Sequence, residues 1–265
     1  MALRHADLSI ALLAAILSVS NCRPTPVSQV LALDTTSSST NVVNGILVAP
    51  DTQARGVADA MKSSGDPNAK YMELVANNTV AVWYGGWNSD IQTAVRDHAS
   101  KALSNNAIAV MVAYNIPNRD CGSHSAGGLS PGDYRKWISQ FASSVGKAKA
   151  IVILEPDALT LTDCLSTQQR TERYDLLRSA VKEFRLNAPN AKVYIDAGHP
   201  AWLPAEKAAS LLQEAGVASA DGFAINTSNY YDNETNIAYG KKISAIINKN
   251  FVIDTSRNGK GVAPN

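Results

Sequence analysis

The sequence predicts an α/β fold built on a parallel sheet, and three observations carry that reading. Short apolar runs rich in β-branched residues recur along the chain, amphipathic stretches separate them, and polar residues collect just beyond the runs. The predicted strands cover residues 42–48, 79–84, 108–114, 150–154, 192–196, 222–226 and 251–254. The predicted helices cover 90–105, 131–146, 167–187, 205–215 and 234–249. Continuous apolar strands alternating with helices fit an α/β barrel or an open doubly wound sheet. No G-x-G-x-x-G follows the first run, and Trp87 directly follows Gly85-Gly86, where a phosphate cradle needs space. A barrel is therefore the expectation. No repeat of fixed period is visible, which disfavours a solenoid.

The ends and the composition narrow the class further. Arg4 and His5 precede the apolar run LSIALLAAILSV, and Ser18-Val19-Ser20 then offers a small-x-small cleavage pattern. Residues 1–20 thus read as an export signal, 21–41 as a polar, Ser/Thr-rich lead-in, and 42–265 as the folded domain of a secreted, extracellular protein. The run is shorter than the roughly 20 residues of a membrane-spanning helix. With 24 Lys and Arg against 23 Asp and Glu, the net charge is +1 and no basic run stands out, so neither nucleic acid nor a membrane surface is an expected partner. A monomer acting on a neutral partner is the expectation. The chain has three cysteines. Cys121 and Cys164 each follow a strand-like run, which allows a bridge between them and leaves Cys22 over. Sequons begin at Asn77, Asn226 and Asn233.

Candidate chemistry lies past the strand ends. Asp120, Asp157, Asp196 and Asp254 each follow a strand-like run. One such acid alone is commonly a helix cap or a loop acceptor. Several converging in one cleft raise one another's pKa, and glycoside hydrolysis needs one carboxyl kept protonated and a base for water. Aromatic residues share this rim: Trp83, Tyr84, Trp87, Tyr114 and Trp202. Flat rings suit the apolar faces of pyranose sugars, although a ring such as Trp83 serves a core equally well. The four histidines, His5, His98, His124 and His199, show no metal-ligand spacing, so neither a metal nor another cofactor is expected. His98 is read as a surface residue of its helix. No G-x-S-x-G elbow points to a serine hydrolase.

Four co-linear motifs then carry a specific resemblance: AYNIPNRDC at 113–121, VILEPDA at 152–158, YIDAGHPAW at 194–202 and FVIDTSRNG at 251–259. From about Val42 onward the chain resembles glycoside hydrolase family 6, the cellobiohydrolases and endoglucanases with a distorted parallel α/β barrel. The resemblance implies that Asp157 is the general acid. It implies that Asp120 raises the acid's pKa and organises water, with Arg119 in the same electrostatic cluster. Tyr114 matches a tyrosine pressing on the distorted sugar, and Ser125 a mobile-loop serine that positions water. Trp83, Asp196, His199, Trp202, Asn226 and Asn229 match sugar-binding residues, and Cys121 with Cys164 one of the family's disulfides.

The implied substrate is β-1,4-glucan, hydrolysed with inversion, which requires carboxyls roughly 6.5–9.5 Å apart. Only ALTLTD separates Asp157 from Cys164, too little for the long loop that roofs a processive tunnel, so the resemblance implies endo action. Asn115 and Asn118 stand where the family usually has acids. Relative to the family pattern, the chain is expected to stop before a closing strand and a loop that carries a lysine and an aspartate. The alternative is therefore a glycan-binding remnant without turnover.

Overall fold

The computed structural model describes residues 42–49, 52–259 and 261–262. The expected export signal, the lead-in and Cys22 lie outside them. Strands β1 (Val42–Val43) and β2 (Ile46–Leu47) pair antiparallel across Asn44-Gly45, whose φ values are 50° and 79°. One strand was expected over 42–48. The Asn-Gly pair, at ease with positive φ, folds it into a hairpin instead. Two unexpected helices follow, α1 (Gln53–Ser63) and α2 (Ala69–Ala76). They bury only Ala54, Ala58 and Ala76, a face too small to show as an apolar stripe in sequence.

Beyond them strands and helices alternate: β3 (Val82–Tyr84), α3 (Ile91–Ser104), β4 (Ala109–Ala113), α4 (Pro131–Val145), β5 (Ala150–Leu154), α5 (Thr167–Asn187), β6 (Ala191–Asp196), α6 (Ala205–Glu214), β7 (Gly222–Ile225), α7 (Asn233–Ile247) and β8 (Asn250–Ile253). All six later strands pair parallel in the order β3-β4-β5-β6-β7-β8. A doubly wound sheet reverses strand order at a switch point, whereas strictly sequential order with helical crossovers is the winding of an α/β barrel.

The two faces of the sheet confirm that winding. Met111, Val152, Leu154, Val193, Ile195, Phe223 and Ile253 point outward into one core with the helices. The alternate residues Val110, Val112, Ile151, Ile153, Tyr194, Ala224 and Val252 pack among themselves on the other face. A sheet face that packs on itself is an inner barrel wall. Among the described residues β3 and β8 do not pair with each other.

Helix α5 shows how local pattern and packing agree. Ser166 closes a capping box with Gln169, and Leu176, Leu177, Ala180, Val181 and Phe184 form the buried stripe. Phe184 then meets Phe141 at 5.6 Å, which meets Tyr84 edge-on at 5.3 Å. His98 is also part of this interior, contrary to the surface position expected for it. It is 7% exposed, and its Nδ1 lies 3.0 Å from the Tyr84 hydroxyl. Burial lowers its pKa to about 4, so the ring is neutral.

Candidate active site

Backbone strain marks one end of the sheet. Ten non-glycine residues have positive φ among the described residues, and seven of them lie just past the C-terminal ends of β4, β5 and β7: Asn118, Asp120, Cys121, Glu155, Asp157, Asn226 and Ser228. Such conformations cost roughly 1–3 kcal/mol each and persist where surroundings over-determine them, which is common at functional sites.

An open cleft of about 880 Å³ lies at this end, and Trp83, Tyr114, Arg119, Ser125 and Asp157 line it together with Trp87, His124 and Arg257. The rings are ordered against one another. Trp83 meets Tyr114 edge-on at 5.3 Å, and the Arg119 guanidinium lies 4.7 Å from the Tyr114 ring and 5.4 Å from Trp87. Trp83 is therefore a wall of the cleft rather than a core residue. Among the described residues Arg119 forms no ion pair with a carboxylate. It donates to the carbonyls of Tyr114 (2.7 Å), Ser125 (2.7 Å) and Ala126 (3.3 Å), folding the 119–128 loop back over its own base. Gly128 allows that return: its φ is 97°, and a Cβ there would stand 1.9 Å from the Ile116 carbonyl oxygen.

Asp157 faces this cleft half-buried, and its pKa is raised. Burial is the largest cause, followed by the charges of Asp196 and then Asp120, while a hydrogen bond with Tyr114 pulls the other way. Asp120 accepts the Ser125 N–H at 2.7 Å, which ties the loop to this acidic group. Asp196 is 1% exposed, and its pKa too is raised by burial. Its carboxylate accepts the Asp157 N–H (3.0 Å), the Gly198 N–H (2.9 Å) and the Thr227 hydroxyl (2.6 Å). Three donors hold the charge on Asp196 and one on Asp157, so Asp196 ionises first and Asp157 keeps its proton beside a buried negative charge. Tyr114 stays a neutral donor, its phenol raised by burial and by Asp157 and Asp120.

The remaining expected residues stand outside the cleft wall. Asp196 reaches the site through the Asp157 backbone, with its oxygens already engaged. Asn226 is fully buried, and its amide donates to the carbonyls of Asn229, Tyr231 and Asp254. That corrects its expected place in the cleft: it is the internal knot of the loop after β7. Asn229 donates to the Thr227 carbonyl within the same loop. His199 is the middle ring of a stack, 4.3 Å from Trp202 and 4.7 Å from Tyr231. Trp202 packs beside Gly198 and is 36% exposed, leaving ring surface open to solvent. Asp254 accepts the N–H groups of Ser228 and Ser256, each at 2.8 Å.

Cys121 and Cys164 form a disulfide with Cα atoms 5.5 Å apart, joining the loops after β4 and β5. Two buried charges that sequence reasoning did not single out join the same loops, Glu155 and Arg173. A signal for Arg173 was present, since it stands one turn before Leu176 and Leu177 in the buried stripe of α5. Among the described residues no group of three or more His, Cys, Asp or Glu side chains is placed to hold a metal ion. Nor is any helix among them long and apolar enough to cross a membrane.

Comparison with known proteins decides the lineage. The signature described as "Glycosyl hydrolases family 6" matches residues 43–265. The chain belongs to that family. Endoglucanase 1 of Streptomyces halstedii is 42% identical over 231 residues, covering 84% of this chain and 71% of that protein. Endoglucanase A of Cellulomonas fimi is 41% identical over 222 residues, covering 82% of this chain and 47% of that protein. The chain thus spans under half of the second relative's length. Among solved structures, the endoglucanase Cel6 of Mycobacterium tuberculosis, in complex with methyl-cellobiosyl-4-deoxy-4-thio-β-D-cellobioside, aligns with a TM-score of 0.79 at 40% identity. That alignment covers 86% of this chain and 78% of the other. Membership in family 6 fits the sequential winding of the sheet and makes the chain a glycoside hydrolase by descent.

Proposed function

We propose that this chain is the catalytic part of a secreted, monomeric endoglucanase that hydrolyses β-1,4-glucan with inversion. The observation that carries the reading is the place of Asp157, a half-buried carboxyl facing an aromatic-walled cleft with the buried Asp196 carboxyl held against its backbone N–H. In the reaction Asp157 donates its proton to the glycosidic oxygen as the bond to the anomeric carbon breaks. Water attacks that carbon from the opposite face, and its proton passes to a base. Tyr114 holds Asp157 and presses on the sugar, Trp83 offers a face to a neighbouring ring, and Ser125 with Asp120 orders water at the mobile loop. Trp202, seated on His199, offers a second sugar platform.

Endo action is supported by the short ALTLTD stretch after Asp157. The disulfide and Arg173 both hold it down, so it leaves an open groove that a polymer enters sideways. The named endoglucanases among the relatives point the same way. In this reading residues 1–20 direct export, 21–41 form the lead-in and 42–265 supply the catalytic domain.

The test uses the protein that carries this chain on a soluble cellulose derivative. Viscosity is expected to fall steeply while few reducing ends appear, with both effects lost in Asp157→Ala. Glucan binding without turnover by the unaltered protein overturns the reading in favour of a binding remnant, and release of cellobiose with little viscosity loss overturns endo action.

A further inference from the structure

Beyond the residues that face the cleft, the 115–118 segment is gripped from both sides of its backbone. The segment begins where β4 and β5 diverge: Glu155 N–H donates to the Ala113 carbonyl, the last such bond between these strands. Here the Glu155 side chain takes over. Its carboxylate accepts the Asn115 N–H at 2.9 and 3.1 Å and the Ile116 N–H at 3.0 Å. The next two peptide carbonyls go to one guanidinium. Arg173 donates through Nη2 to Pro117 (2.8 Å) and Asn118 (3.0 Å), and through Nη1 to Ala158 (3.1 Å) and Leu161 (3.0 Å).

Both groups are buried, Glu155 at 0% and Arg173 at 3% exposure. Burying a charge costs several kcal/mol unless it is matched. Each of these is matched by peptide groups, the Glu155 charge also favours the Arg173 cation, and Arg119 favours the Glu155 anion. Neither lines the cleft, so neither is placed to touch substrate.

We infer that Glu155 and Arg173 are positioning residues: together they hold the 115–118 backbone and thereby set where Arg119 and Asp120 stand relative to Asp157. The strained run downstream needs such a support, because Asn118, Asp120 and Cys121 all have positive φ within four residues. Glu155 is also two residues from Asp157, with only Pro156 between. The same short stretch therefore carries the acid on one side and the anchor of the opposing loop on the other. Tyr134, Arg119 and Arg173 are the titratable or charged groups around Glu155, and its own pKa is raised to about 7 by burial.

This inference rests on the catalytic reading above, and the experiment separates the two. Glu155→Gln and Arg173→Lys are compared with Asp157→Ala by kinetics across pH and by backbone hydrogen exchange. An amide turns a donor toward donors, and an ammonium cannot span four carbonyls. In both variants kcat is expected to fall roughly tenfold or more with KM within about twofold. The alkaline limb of the pH profile is expected to move to lower pH, because Asp120 no longer stands close enough to hold the proton on Asp157. Amides 115–128 are expected to exchange faster while those of α4 and α6 do not change. If Glu155→Gln fails to fold, Arg173→Lys decides alone. A folded variant with an unmoved limb and unchanged exchange over 115–128 overturns the inference, even if some activity is lost. Turnover that survives in Asp157→Ala instead overturns the catalytic reading, and hydrogen exchange still judges the clamp.

Discussion

Asp196→Asn isolates the electrostatic support of the acid. The asparagine oxygen still accepts the N–H groups of Asp157 and Gly198, bonds of 3.0 and 2.9 Å in the wild type, and its NH2 can donate to the Thr227 hydroxyl oxygen. Geometry is kept and one buried charge is removed. The Asp157 backbone nitrogen lies 3.0 Å from the Asp196 carboxylate, so the two carboxyls are within roughly 7 Å once the covalent reach of the side chain is added. At an effective dielectric of about 20, that separation gives about 2.4 kcal/mol, or between one and two pKa units. A general acid works protonated, so its activity is lost as pH rises through its pKa. Removing the neighbouring negative charge makes ionisation easier and moves that alkaline limb down by about one to two pH units. The kcat profile on a cello-oligosaccharide measures the shift, and thermal unfolding confirms that the fold is retained. A limb that stays in place, or moves up, refutes the role of the Asp196 charge.

Other outcomes follow from the same geometry. Tyr114→Phe removes the donor that favours the Asp157 anion, so the alkaline limb should move upward, opposite in sign to Asp196→Asn, and kcat should fall. Replacing Cys121 and Cys164 by serine opens a loop closed across a sequence separation of 43 and should cost about 4 kcal/mol by chain entropy, read by denaturant unfolding. In a eukaryotic secretory host, Asn77 and Asn233 are exposed and should carry glycan, whereas buried Asn226 should not; an occupied Asn226 in glycopeptide mapping contradicts its internal role.

Much of the framework is legible in the residues themselves. Helix α5 and strand β5 match the expected 167–187 and 150–154 because a capping box and an uninterrupted β-branched run are local signals. The motifs around Asp157 and Asp120 identified the family, and the disulfide joins the two cysteines expected to pair. Local signals fail where partners are distant. Helices α1 and α2 bury only alanines, and the face of α3 that carries His98 was decided by Tyr84 on strand β3.

The acids show the division most sharply. Sequence places Asp120, Asp157, Asp196 and Asp254 past strand ends and says that carboxylates converge there, but it does not single out Glu155. It does not say which of them faces solvent. Glu155 and Asp157 both adopt positive φ, yet Glu155 turns inward to N–H groups 39 and 40 positions earlier in the chain, while Asp157 faces the cleft. Asp196 is turned inward by Thr227, which lies 31 positions later. Side-chain direction at such a turn is set by whichever donors the neighbouring strands deliver, and burial then decides which carboxyl keeps its proton. Only the packed structure brings those donors together.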